Sequence, residues 1–437
     1  MGRAQGISVA IAASVAVLLS AAPASAMAGD LDATFRGDGR QTYGFPFDPS
    51  DASAVAVDPE GRIVIGGDGG NSFGLCRLLS DGAHDPGFGS SGIVSTRFRG
   101  RAFLRDVALQ TDGKILAVGG AQRANASVRT ANKFALARYR PNGSLDPSFG
   151  GDGRVVTGFR PELPDGGGAF GNVVALQQDG DVVVAGFAFA SRDPNFGAGT
   201  HPTFAVARYT PNGHLDQSFG NDGRLVLRFP GADSSIDGIA LQEDGKIVAG
   251  GLMLPDGGSE RFALARFDDD GSLDATFGNG GLVTGGGVAE AIRSIAIQPD
   301  GRIVVVRATR GLVGFSVARY DAHGYPDASF GGDGHVLTSF GGHGGTAASV
   351  QIQADGRIVV AGIADGEGGI AGVSRFGLAR YLSDGSPDPE FGGDGTVVTR
   401  FDNRAGADDL EIAPRDGKIV VSGFAGKRVA VARYLPS

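Results

Sequence analysis

The sequence predicts an all-β protein, a seven-bladed β-propeller of four-stranded antiparallel blades, on three observations. Three sequence words each recur seven times, each word has the pattern of a short strand or hairpin, and the order of the words at the two ends closes a ring.

The first word centres on Asp32, Asp85, Asp146, Asp216, Asp274, Asp327 and Asp388, as in "LDPSFGGDG". In every copy Phe follows three residues later and Gly seven later. The second word, typified by "VALQTDGKILAVGG" at 107–120, carries a turn glycine at Gly61, Gly113, Gly180, Gly245, Gly301, Gly356 and Gly417, at intervals of 52, 67, 65, 56, 55 and 61 residues. The third, "FALARY" at 134–139, recurs with its arginine at Arg77, Arg138, Arg208, Arg266, Arg319, Arg380 and Arg433.

"VALQ" and "KILAVGG" are short, apolar, β-branched runs on either side of an Asp-Gly turn, the signal of a hairpin, and are strands A and B. "FALARY" is strand C, which passes through a turn such as Pro141-Asn142-Gly143 into a returning strand D, "GRVVTGF". No segment between them has the length and period of a helix. A unit apolar on both faces cannot bury itself and must stack. Radial stacking leaves only short protected edges, whereas a linear solenoid requires polar caps at its ends, and none is visible.

The ends give the closure. Past its first 26 residues the chain opens on a strand D word, "LDATFRGDGR", and it stops after a strand C word, "VAVARY". The N-terminal strand is therefore expected beside residues 429–434, completing a blade with three strands from one end and one from the other. In six repeats an Asp lies eight residues after the strand C arginine, equidistant from the C–D turn, so each pair is expected to meet across the hairpin for about 0.2–1 kcal/mol. Arg433 lacks a downstream Asp, and Asp32 is the one left over. An Arg433–Asp32 contact is the predicted closure.

The words "FALARY", "GSLDPSFGGDG" and "LQTDGKI" resemble the delta-60 repeat, a propeller domain of unknown function found in secreted bacterial proteins. The resemblance covers residues 30–434 and implies a fold without an attached chemistry. Departures are small: Arg36 replaces the Gly of "FG", the first repeat reads "FGLCRLL", and "LEIAPRDG" at 410–417 holds one extra residue.

Residues 1–26 read as an export leader, with Arg3, an apolar run from Ile7 to Leu19 too short to span a bilayer, and Ala24-Ser25-Ala26 as the cleavage motif. Residues 27–437 are then a single propeller domain, expected outside the cell, without a membrane span and as a monomer. Arg3 is the leader's single charge, so its removal takes the net charge from −9 to −10. An acidic surface argues against nucleic acid as the partner. Cys76 is the single cysteine, so no intrachain disulfide is possible, and it stands where sister repeats have Ala137, Ala207 and Ala265, which predicts a buried, inert thiol.

Strand parity puts the A–B and C–D turns on one face and the B–C loops and D–A crossovers on the other. The second face carries the length variation, at 121–133, 158–172 and 187–203, and is expected to hold any site. The innermost strand narrows this to a channel-mouth ring of Ser53, Arg105, Asn172, Asp237, Arg293, Ala348 and Asp408. Two readings of the ring stay open. Its Arg and Asp side chains pair with one another around a solvated mouth, or Arg105 and Arg293 take anionic groups while Asn172, Asp237 and Asp408 take polar or cationic ones.

The first function class is a non-enzymatic binding or scaffold protein with no cofactor, recognising an extracellular protein, glycan or small molecule. The alternative is a metal-dependent hydrolase or lyase with a divalent cation on Asn172, Asp237 and Asp408, which the neighbouring arginines oppose. The histidines give it little: His84, His214 and His323 fall in C–D turns, His335 in a strand D, and only His201 and His343 on the loop face. The "GGDG" aspartates (Asp38, Asp152, Asp222, Asp333, Asp394) and Asp268-Asp269-Asp270-Gly271 are expected to be turn formers rather than calcium ligands. Trp is absent, so any aromatic platform has to use Tyr or Phe.

Overall fold

A computed structural model describes residues 26–44, 52–122, 132–159, 168–189, 202–285, 290–309, 314–365 and 374–437. All seven repeats fold as four-stranded antiparallel sheets in the order A-B-C-D. Blade 1 is β2 (Ala52–Val57), β3 (Ile63–Asp68), β4 (Phe73–Leu78) and β5 (Ile93–Thr96). Blade 2 is β6 (Ala102–Leu109), β7 (Ile115–Gln122), β8 (Asn132–Tyr139) and β9 (Arg154–Thr157). Blade 3 is β10 (Ala169–Leu176), β11 (Val182–Phe189), β12 (Pro202–Tyr209) and β13 (Arg224–Leu227). Blade 4 is β14 (Ala232–Leu241), β15 (Ile247–Pro255), β16 (Arg261–Phe267) and β17 (Leu282–Gly285). Blade 5 is β18 (Glu290–Ile297), β19 (Ile303–Thr309), β20 (Phe315–Tyr320) and β21 (His335–Thr338). Blade 6 is β22 (Gly345–Ile352), β23 (Ile358–Asp365), β24 (Ser374–Tyr381) and β25 (Thr396–Thr399). Blade 7 is β26 (Ala405–Ile412), β27 (Ile419–Ala425), β28 (Arg428–Tyr434) and, from the other end of the chain, β1 (Arg40–Tyr43).

The core lies between blades rather than within them. Leu116 and Val118 of blade 2 share one apolar cluster with Phe149, Val174, Val182 and Val184, most of them from blade 3, and the pattern repeats around the ring. Strand B is therefore buried on both faces, which is why "ILAVGGA" reads as a continuous apolar run instead of an alternation. Cys76 fits this scheme: it is buried, and burial pushes its thiol up to about 12, as expected of an inert group.

The closure is as the ends predict. Arg40–Tyr43 pairs with Val429–Ala432, and Arg433 Nε donates to Asp32 Oδ2 at 2.8 Å. The turn before it is also rebuilt from two chain ends. In blade 2, Gly143 N donates to Arg140 O and Arg140 N to Ser144 O; in blade 7, Gly29 N donates to Leu435 O and Leu435 N to Asp30 O. Gly29 even keeps the left-handed backbone of Gly143, φ +87° against +84°.

The strand C arginines do more than the modest cross-strand pairing expected of them. Arg138 donates from Nε to Asp146 (3.0 Å) and from Nη2 to Ser148 (3.0 Å), reaches the Pro211 carbonyl of the next blade with Nη1, and lies 4.7 Å from the Phe149 ring centre. All seven arginines are buried and repeat the aspartate, next-blade carbonyl and ring contacts, and five of them also the hydroxyl contact, which Gly87 and Glu390 remove in blades 1 and 6, so each joins two strands of its own blade to a turn of the next. The "GGDG" aspartates are turn formers as expected: Asp152 and Asp394 each accept the backbone N–H two residues on, at 2.9 Å.

Candidate functional site at the channel mouth

Strand A of each blade lies beside strand A of the next, β2 against β6 and so on to β26 against β2, so these seven strands wall the central channel. Each carries the same irregularity. Its register with strand B slips by one residue, and the extra residues are Ser53, Arg105, Asn172, Asp237, Arg293, Ala348 and Asp408. These are the seven ring positions read from the sequence. A β-bulge leaves one residue out of the ladder and re-aims its side chain, which is how this ring is presented at the mouth.

The bulge explains the glycines of "AVGG". With the extra residue in strand A, the carbonyl two positions before it presses on strand B. A Cβ at Gly119, Gly186, Gly251, Gly362 or Gly423 would stand 1.9–2.1 Å from that oxygen. Blade 5 has Arg307 at this position, with its guanidinium turned to Glu290 at 2.8 Å.

Three of the ring residues form one connected sector, with Arg105 beside it. Asn172 Nδ2 donates to Asp237 Oδ1 (3.1 Å) and to the Ile236 carbonyl (2.8 Å), and Arg293 pairs with Asp237 Oδ2 at 3.2 Å. Burial raises the Asp237 carboxyl, while the charges of Arg293 and Arg105 and hydrogen bonds from Ser235 and Asn172 pull it back. Arg105 stands exposed with its guanidinium carbon 5.4 Å from the Phe170 ring centre. Asp408 is half-buried on blade 7, separated from this sector by Ala348 on one side and Ser53 on the other.

Below the mouth lies a layer that the sequence reading missed. Asp106, which directly follows Arg105, accepts Val174 N–H of blade 3 at 2.8 Å, and Asp409, which follows Asp408, accepts Val55 N–H of blade 1 at 2.9 Å. Both satisfy donors on the inner edge of a neighbouring strand A. Ser349 donates to Asp409 (2.9 Å), and Gln351 donates to Glu411 (3.2 Å) one step deeper. Burial, then repulsion from Asp409, pushes Asp106 up to about 7; burial pushes Asp409 to about 6. Glu411 is carried to about 8 by burial and by the charges of Asp409 and Asp106. The bulge is the signal for this layer, because an extra residue lets two successive side chains face the same way.

Among the described residues no three His, Cys, Asp or Glu side chains converge as metal ligands, and no helix is long and apolar enough to cross a membrane. Of the variable loops expected to carry a site, residues 123–131, 160–167 and 190–201, with His201, lie outside the described residues, as do leader residues 1–25.

No curated protein matches the chain in sequence. Among solved structures it is similar to virginiamycin B lyase from Staphylococcus aureus, with a TM-score of 0.51 at 11% identity over 91% of this chain and 99% of that one. A catalytically inactive variant of that lyase with quinupristin gives a TM-score of 0.52 at 10% identity and the same coverage. A polysaccharide lyase, the PL25 ulvan lyase, gives 0.49 at 10% identity over 91% of this chain and 96% of that one. At such identity the two virginiamycin B lyase structures show the fold alone. The family profile for "Domain of unknown function (DUF5122) beta-propeller" matches residues 59–88, 110–149, 177–219, 242–277, 298–330 and 353–391, just over half of the sequence, and the chain belongs to this family.

Proposed function

We propose that the protein is an exported, non-enzymatic binding propeller that takes its ligand at the channel mouth on the face of the B–C and D–A loops. The bulged ring carries this reading. Seven strands each turn one extra side chain to the mouth, and in blades 2 to 5 these are Arg105, Asn172, Asp237 and Arg293, a polar sector on a rigid wall. The alternative, a divalent-metal lyase on Asn172, Asp237 and Asp408, would require the carboxylate that Arg293 already engages. That engagement favours binding over metal chemistry.

Soaking crystals with a mixed set of carboxylates, amines, neutral sugars and neutral aromatics is the test. Ordered density is expected at the mouth beside Arg105 and Arg293. Density confined to the crevices between blades overturns the reading. Export rests on the apolar run 7–19 and Ala24-Ser25-Ala26; N-terminal sequencing of protein from the medium is expected to start at Met27, and an intact leader removes that part of the proposal.

A further inference from the structure

The charges of the mouth are not evenly matched. Asp237 is held by Arg293 and Asn172, whereas Arg105 has no hydrogen-bond or ion-pair partner among the described residues. Beside Arg105 a ladder of four phenylalanines runs along blades 2 and 3 toward the B–C and D–A face. Phe103 leans on Phe170 with 6.4 Å between ring centres, Phe187 lies parallel to Phe170 at 6.0 Å and 9°, and Phe189 meets Phe187 edge-on at 5.7 Å. Phe170 is buried, but Phe103, Phe187 and Phe189 are each half-buried.

The ladder is local to this sector. The strand A position held by Phe103 and Phe170 is Ser235, Ala291, Thr346 and Gly406 in blades 4 to 7, so a closed ring does not require an aromatic there. Gly120 seats it: a Cβ at this strand B position would stand 2.3 Å from the Phe170 ring. Half-buried aromatic faces next to an exposed guanidinium that no carboxylate contacts directly, though the charge of Asp237 is felt there, offer stacking surface and a planar anion partner at one place.

The geometry points to a small aromatic carboxylate as the ligand of the mouth, with its ring on the Phe103–Phe170–Phe187–Phe189 ladder and its carboxylate on Arg105. This rests on the channel-mouth reading above and names the ligand class for it. Below the mouth lie Asp106, Asp409 and Glu411, of which Asp409 is the most acidic and carries charge at neutral pH, so an anion is disfavoured deeper in the channel and the carboxylate is held at the mouth. The net negative charge of the whole chain opposes approach only weakly, since charges farther than about 8–10 Å are screened at physiological salt.

Because the chain contains no Trp, the fluorescence of 1-naphthoate reports binding against little protein emission. Wild-type protein is titrated with 1-naphthoate, with its neutral isostere 1-naphthamide, and with acetate as a competitor. Saturable naphthoate binding is expected, with the amide weaker by about tenfold or more, the loss of one charge-assisted contact worth roughly 1.4 kcal/mol. Arg105→Gln, at an exposed position, is expected to abolish the difference between acid and amide, and Phe187→Ala to weaken both. No saturable naphthoate binding, or binding indifferent to Arg105→Gln, overturns the inference. If soaked fragments occupy the mouth while aromatic carboxylates do not, the ligand class alone fails; if nothing occupies the mouth, the binding reading fails with it.

Discussion

Arg433 Nε lies 2.8 Å from Asp32 Oδ2 across 401 residues of sequence, and the pair is buried, as are its counterparts within the single hairpins of blades 1, 2, 4 and 6. Burial raises the Asp32 carboxyl, but Thr34, Lys418 and Arg433 together bring it down to about 2, so the pair is charged throughout the neutral range. Replacing Asp32 by Asn leaves a buried guanidinium without its counter-charge, which costs about 3–5 kcal/mol. The expected outcome is a matching loss in urea-denaturation free energy, similar to that of Asp388→Asn inside blade 6. A loss below about 1 kcal/mol, the range of a solvent-exposed pair, would mean that β1–β28 pairing closes the ring without help.

Blade 3 breaks a rule that the other six keep. Two residues past the A–B turn carboxylate, Glu60 in blade 1 and an aspartate elsewhere, stand Arg62, Lys114, Lys246, Arg302, Arg357 and Lys418, each paired with a nearby aspartate. Blade 3 has Asp181, 3.7 Å from Arg208 and close to Asp179, Asp216 and Asp269. Burial first, and then these like charges, raise the Asp181 carboxyl. Asp181→Lys is expected to raise the melting temperature, by about 0.5–2 kcal/mol of stability, a common gain when one repeat is brought to the consensus of its siblings. The control is Lys246→Asp in blade 4, expected to shift it the other way.

The ring and its closure were legible because repetition aligns seven copies on one another, and a single strand A position can be followed around the circle. Three features were not. For the strand C arginines the sequence shows only pairing within a hairpin, since their third arm reaches a turn 56–73 residues away in most blades, a contact no local pattern announces. Asp106, Asp409 and Glu411 were missed because strict alternation turns the residue after Arg105 or Asp408 into the blade, and only the bulge returns it to the channel. The Phe ladder was missed because it joins two blades through Gly120, a residue whose role is to be small.

The bulge itself is open to test through its glycines. A Cβ at Gly186 would lie 2.0 Å from the Phe170 carbonyl oxygen, against backbone that cannot give way without undoing the bulge at Asn172. Gly393 has φ +92° but open space around it. Gly393→Ala is expected to cost only the left-handed penalty, about 1–2 kcal/mol. Gly186→Ala is expected to cost more than Gly393→Ala and to move Asn172, visible as loss of its hydrogen bond to Asp237 in a crystal structure of the variant. Equal costs for the two would show that strand A accommodates the extra methyl and that the glycine is not what permits the bulge.

The channel carboxylates set the direction of the pH dependence. Asp106, Asp409 and Glu411 sit near 7, 6 and 8 in the folded protein, against about 3.9 for Asp and 4.3 for Glu in an unfolded chain. Between pH 4 and 8 the folded state thus holds more protons at these three groups than the unfolded state does, so their contribution to stability falls as pH rises through that window. Asp32 acts oppositely: its folded value near 2 means that its stabilising charge is lost as pH drops below about 4. Melting temperature is therefore expected to be highest near pH 5, declining toward pH 8 as the channel charges and toward pH 3 as the unfolded chain takes up the proton that the folded closure pair resists. Glu411→Gln, which keeps an acceptor for Gln351, is expected to flatten the decline between pH 6 and 8 and to raise the melting temperature at pH 8. An unchanged profile would mean that water entering the channel already solvates Glu411, and that the three carboxylates titrate as independent surface groups.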